Sequence, residues 1–247
     1  RHPFPVAATN LEKLYAKMIR DVSEFKGKLS VSEMITAFLQ FQAYVHLCCE
    51  LDKASHLSDK LLQALPAHVT SQSFPSNILV QIVAINIFAM QHARRQMGDE
   101  DDMTDQLTSD EERAFGLMLL FTISILDVLL QYTPKHDHKL REFFTLPAVR
   151  LLLDWFHLNP VHLSNPVVKT SGLWVNLCKV LNNIKPPRNK KEEPIDLTKY
   201  EELPLPEDTE LRCFQPLEKA HSGYSYSRLP SDGLPQEIEC HLRCQRI

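Results

Sequence analysis

Apolar residues recur at intervals of three and four along most of this 247-residue chain, and no run alternates apolar with polar residues between hairpin dipeptides. Six glycines, each isolated, leave little turn chemistry for strands. The spacing restricts the chain to an all-α fold. A first helix carries Leu11, Leu14, Tyr15, Met18, Val22 and Phe25 on one stripe and ends near Gly27, where left-handed geometry costs little. Ser30 and Glu33 have the spacing of a capping box for a second helix, which bears Met34, Phe38, Phe41, Val45 and Cys48. The short connection predicts an antiparallel hairpin. A third helix presents Leu57, Leu61, Leu62 and Leu65 before Pro66, which is expected to stop it. Ser76 is placed to cap a fourth, in which Ile78, Leu79, Ile82, Val83, Ile85, Ile87, Phe88 and Met90 leave almost no polar face. Such a helix belongs at the centre of a domain.

Residues 98 to 112 hold eight acidic side chains and two large apolar ones, the composition of a mobile loop. Ser109 and Glu112 repeat the capping-box spacing and open a long apolar helix to about Tyr132. Thr145 is placed to cap "LPAVRLLLDWFHLNP", with Pro147 in the permissive first turn and Pro160 forbidding continuation. A seventh helix, with Trp174, Leu177, Leu181 and Ile184, ends at Pro186 and Pro187. No repeat period is regular enough for a tetratricopeptide or armadillo array. The expected architecture is therefore irregular stacked antiparallel helical hairpins, α-solenoid-like, over 1–184. A charged, proline-rich linker follows at 185–202, a short segment packs back at 203–221, and 222–247 is a flexible tail, partly disordered, or a truncated helix.

The composition, 44% apolar and 23% charged, is that of a globular chain with a sizeable core. A net charge of -4 gives no global attraction to phosphate or to anionic membranes, so any basic patch must be local. Six cysteines, at 48, 49, 178, 213, 240 and 244, are scattered as suits a reducing, intracellular setting. The run Leu117–Leu130 is too short, and with Asp127 too polar, to read as a membrane span. The chain begins at Arg1, already inside structured sequence, which points to a piece of a longer protein.

Motifs for catalysis are sparse. No GxGxxG or GxxxxGK[ST] can be drawn from the six glycines, so a nucleotide-binding loop is excluded, and no cofactor is expected. "GYSYS" at 223–227 lacks the second glycine of a nucleophile elbow. His136, Asp137 and His138 are adjacent loop residues without further ligands, and Cys240, His241 and Cys244 offer half of a zinc site, completed only if Cys213 or His221 joins them. Solvated loop and free thiols are the simpler readings, and no metal site is assigned. Cys48 and Cys49 read as small packing residues late in a helix. Asp127 reads as a hydrogen-bonded or boundary aspartate, not as an acid-base group. Arg94, Arg95, Arg188, Lys190 and Lys191 are the candidate nucleic-acid contacts, but acidic stretches adjoin them and no aromatics are interleaved.

The stretch "LPLPEDTELRCFQPL", 203–217, keeps large apolar residues beyond the polar linker. Pro204 and Pro206 enforce an extended approach, Glu207 and Asp208 suit the first turn of a helix, and Leu211, Phe214 and Leu217 recur as one apolar face. So short a helix persists only if that face is buried, on its own domain or on a partner. If it clamps the domain, Phe214→Ala is expected to cost ~3 kcal/mol or more.

"PFPVAATNLEKLYAKM" at 3–18, "VQIVAINIF" at 80–88, "LPAVRLLLDW" at 146–155 and "LPEDTELRCFQPL" at 205–217 together resemble, in order and spacing, the helical-hairpin region of the Est-one/Smg family of telomerase-associated and nonsense-mediated mRNA decay proteins. The likeness covers about 1–220 and favours the clamp, since it places 203–221 inside the family's folded region. It implies a non-enzymatic scaffold acting by protein contacts, or else a DNA/RNA-binding module of a telomerase-associated protein. It further implies other Smg-type factors, phosphorylated Upf-one helicase read by a separate N-terminal domain, and mRNA decay or phosphatase machinery as partners. The cytoplasm, with shuttling to the nucleus, is the implied location. Nothing in 186–247 matches the acidic ligands of the family's PIN nuclease domain. Cys213 stands where the family's "LxGF" segment has glycine.

Overall fold

A computed structural model describes residues 4–20, 25, 27–96, 108–132, 143–166, 168, 172–184 and 196–247, and those described residues contain helices and turns but no strand. The helices are α1 (Phe4–Arg20), α2 (Val31–His46), α3 (Leu51–Thr70), α4 (Ser76–Gln96), α5 (Ser109–Tyr132), α6 (Leu146–Leu158), α7 (Leu173–Ile184), α8 (Pro206–Glu210), α9 (Glu218–His221) and α10 (Gln236–Arg246). They fall into two compact units, Arg1–Ser73 with Phe88–Ile125, and Phe74–Ile87 with Leu126–Ile247. The all-α class is as the periodicity requires. Helix α4, read as the central helix, contributes its first half to one unit and its second half to the other.

In the first unit α1 packs on α2 and α2 on α3. The core face of α2 carries Met34, Phe38, Phe41 and Val45, all buried. Phe41 and Phe38 meet the ring of Phe121 on α5 at 4.6 and 6.1 Å. The capping box of α2 forms as its spacing predicts: the Glu33 amide donates to Ser30 Oγ at 3.3 Å and the Ser30 amide to Glu33 Oε2 at 2.8 Å.

Several local expectations are corrected. Leu14 of the α1 stripe is 53% exposed, and among the described side chains of α1 it is Tyr15 that is buried. Cys48 and Cys49 lie outside α2, in a Schellman turn where Cys48 takes φ 48° and the Cys49 amide donates to the Tyr44 carbonyl at 3.1 Å. Pro66 does not stop α3, which runs to Thr70. The turn after the proline is anchored because Val69 is buried and His68 Nε2 lies 2.8 Å from the Leu29 carbonyl, contacts that offset the lost backbone hydrogen bond. The box opening α5 is shifted by one residue, to Thr108 and Glu111, whose amide donates to Thr108 Oγ1 at 3.3 Å. Thr145 sits at the N-terminal end of α6, but its side chain does not cap the helix.

By length and composition alone, Ser76–Ala93 of α4 and the whole of α5 are apolar enough to cross a bilayer, which the reading of Leu117–Leu130 missed. Their apolar residues are used inside the protein: Val83, Ile87 and Met90 of α4 and Phe121, Ile123, Leu126 and Leu129 of α5 are buried.

In the second unit α6 is the hub. Leu146, Ala148, Val149, Leu151, Leu152 and Trp155 are fully or almost fully buried, and α6 touches α9, α10 and the turn Gln215–Leu217. Residues 203–217 are not one helix: α8 ends at Glu210, Cys213 turns the chain at φ 65°, and a 3-10 turn follows at Gln215–Leu217. The positive φ at Cys213 breaks the expected i, i+3, i+6 face. Leu217 is buried while Leu211 and Phe214 are half-buried. Beyond them, where sequence leaves a flexible tail or a truncated helix open, α10 buries Cys240, Leu242 and Arg243. Leu203, Leu205, Leu234 and Leu242 form a cluster flanked by Leu197 and Tyr200, which ties the end of the linker down. The acidic loop through residue 107 and the linker through residue 195 lie outside the described residues.

Candidate functional site

Among the described residues of the second unit, a dense concentration of charge is internal. Helix α6 is apolar apart from Arg150 and Asp154 in its middle turns and His157 in its last, and Arg150 has no exposed surface at all. A guanidinium taken out of water must be met by carboxylates, and α8 supplies two in succession. Arg150 Nη2 donates to Asp208 Oδ1, its Nε lies 3.3 Å from Glu207 Oε1, and its Nη1 is 3.3 Å from Asp154 Oδ2. The C-terminal helix completes the set. Arg243 grips Glu207 with two parallel bonds, Nε to Oε1 at 2.8 Å and Nη2 to Oε2 at 2.9 Å. Arg246 reaches Asp208 Oδ2 at 3.4 Å, donates to the Leu203 carbonyl at 2.7 Å, and lies over the Tyr224 ring at 4.6 Å.

Asp208 is held from every side. Its Oδ2 accepts the Leu205 amide at 2.9 Å, its Oδ1 is 3.3 Å from His221 Nε2, and its carbonyl accepts the Tyr226 hydroxyl at 3.3 Å. Burial alone would raise its pKa; His221, Arg150 and the Leu205 amide overcome that and hold it at about 2. Arg150 shows the mirror image: burial would lower its pKa, and Asp208, Glu207 and Asp154 raise it instead. Asp154 is raised by burial, with Arg150 opposing. A carboxylate so strongly held ionised is a poor proton shuttle, and its cationic partners are already committed. The arrangement does the work of a clasp, joining α6, α8 and α10 within one unit.

The sequence-predicted residues are distributed differently. Leu211, Phe214 and Leu217 flank the clasp, with Leu217 as the buried anchor. Arg94 and Arg95 are in the last turns of α4, and their side chains are outside the described set, as are Arg188, Lys190, Lys191 and the His136, Asp137 and His138 group. Asp127 accepts a hydrogen bond from Asn176 Nδ2 at 2.9 Å. Cys240 and Cys244 sit on α10, where the His241 ring bonds the Glu237 carbonyl at 2.7 Å. Sequence reasoning missed Arg150, Arg243 and Arg246, and it took Glu207 and Asp208 only as first-turn acids. The available signal was a lone arginine inside "AVRLLL", a charge that must find a partner once the helix is buried.

A sequence profile of the Est1 DNA/RNA binding domain matches residues 1–221. The nonsense-mediated mRNA decay factor SMG7 of Danio rerio is 33% identical over 253 residues, an overlap that takes in 100% of this chain and 21% of that protein. The chain therefore spans about a fifth of the length of the relative it matches. The order of helical segments, the profile match across most of the length and the identity to SMG7 agree, and the chain belongs to the Est1/SMG family.

Proposed function

We propose that this chain is a non-enzymatic scaffold region of a nonsense-mediated mRNA decay factor and acts through protein contacts. The observation that carries the reading is its identity to a decay factor over its whole length. The charge distribution supports it. Arg150, Arg243 and Arg246 are spent on Glu207 and Asp208 inside the unit, which removes three cations from any phosphate-binding surface of a chain whose net charge is -4. The resemblance adds other Smg-type decay factors, mRNA decay or phosphatase machinery, and phosphorylated Upf-one helicase bound through a domain outside this sequence. It supports a cytoplasmic location, with shuttling to the nucleus as part of the proposal.

A second reading, a DNA/RNA-binding module of a telomerase-associated protein, is favoured by the name of the matching domain. It would rest on Arg94, Arg95, Arg188, Lys190 and Lys191. Pull-down of this chain, compared with a version extended by the preceding domain, tests the scaffold reading: decay factors should be captured by both. Capture by the extension alone would mean that this region contributes no contact of its own.

A further inference from the structure

A groove with a volume of 370 Å³ opens within the second unit beside the clasp. Its floor is apolar: Val80 of α4 is buried, Phe143 and Phe144 ahead of α6 meet edge to face at 4.9 Å, and Pro147 closes one side. Both phenylalanines are half-buried, so part of each ring faces the opening. Of the four charged residues on the wall, Glu207 and Arg243 are bonded to each other. The other two are Glu210 of α8 and Glu239 of α10, and neither lies within ion-pair distance of a cation among the described residues. Among the described residues, the Glu210 carboxylate accepts the neutral amide of Gln81 at 3.0 Å. Burial pushes the Glu239 pKa up, Arg243 lowers it by less, and Glu207 adds to the rise.

An apolar trough whose rim carries two carboxylates without an ion pair among the described residues selects its occupant by charge. Phosphate is repelled, and an apolar side chain alone leaves the carboxylates unmatched. We propose that this groove binds an extended segment of a partner protein that seats an aromatic or aliphatic side chain on Phe143 and Phe144 and places an arginine or lysine between Glu210 and Glu239. The volume is that of a small-ligand pocket, enough for two or three side chains. An arginine there gains both carboxylates and the face of a phenylalanine ring. This rests on the reading of the chain as a protein-contact scaffold and specifies the chemistry of one contact.

The test is NMR on the isotope-labelled full chain, titrated with N-acetyl-Phe-Arg-Leu amide. Saturable shifts confined to residues 143–147, 206–210 and 236–243 are expected. The peptide with glutamate in place of arginine should leave them unmoved, and the variant carrying both Glu210→Gln and Glu239→Gln should bind the arginine peptide about tenfold more weakly, as loss of two rim ion pairs implies. Glutamine at 210 can keep the bond to Gln81, and an otherwise unchanged spectrum shows that the double variant is folded. No saturable shift, equal binding of the glutamate peptide, undiminished binding by the variant, or groove shifts caused by a uridine oligonucleotide would each overturn the assignment. Failure here with capture of decay factors intact removes the groove and leaves the scaffold reading standing.

Discussion

Replacing Arg150 with methionine isolates the clasp. The side chains of Arg150 and Asp208 are 0% exposed, so the substitution leaves a carboxylate in a site that water does not reach. Removing one partner of a buried ion pair costs about 3–5 kcal/mol. Two features place this case at the low end. Glu207 keeps both bonds from Arg243, and Asp208 keeps the Leu205 amide and the Arg246 guanidinium. The expected loss is ~3 kcal/mol at neutral pH. Its pH dependence follows from Asp208, whose folded-state pKa of about 2 lies below the ordinary carboxylate value near ~3.9. A depressed pKa stabilises fully above the unfolded value, and that stabilisation is lost as pH falls through the folded one. The gap between wild type and variant should therefore narrow as pH falls from about 5 to about 2. Both tryptophans, Trp155 and Trp174, belong to the unit that holds the clasp, so urea unfolding followed by tryptophan fluorescence reads the right transition. A loss under ~1 kcal/mol, or a gap independent of pH, would refute the argument that these charges hold α6, α8 and α10 together.

Within 211–217, truncation of Leu217 should cost more than truncation of Phe214, the residue for which the sequence alone suggests the loss of a core side chain. Leu217→Ala should cost about 2–5 kcal/mol and Phe214→Ala about 1, because only Leu217 is fully buried. Cys213→Gly should stabilise the chain by roughly 0.5–1 kcal/mol in thermal melts, since Cys213 holds φ 65°, a region glycine enters without penalty. In the first unit, burial and then His92 hold the His46 pKa below its usual value. A histidine with a depressed folded-state pKa contributes fully above its unfolded value near ~6.5 and loses that contribution as pH falls below it. Melting should therefore occur at lower temperature under mild acid, and His46→Gln should flatten that profile.

How far the sequence reaches depends on whether a signal is local. The core face of α2 and its capping box were legible because spacings of three and four carry them within one helix. Pro66 misled because the reading weighed the broken backbone bond without Val69 and His68, which hold the last turn from outside it. The break at Cys213 was half legible: a cysteine where the family has glycine marked the position, but only the backbone shows the left-handed turn there. The clasp was not read because its members come from α6, α8 and α10, separated by 36 or more positions of sequence. Local pattern cannot pair Arg243 with Glu207, even though each charge, met on a burying helix, calls for a partner.

The central claim is that this region works through protein contacts and not through phosphate. It is tested most directly by anisotropy of a short labelled RNA titrated with the chain at about 50 and about 200 mM salt. Weak binding, short of micromolar affinity, is predicted at both. Micromolar affinity that falls steeply with salt, and disappears when Arg94, Arg95, Arg188, Lys190 and Lys191 are neutralised, would contradict the claim.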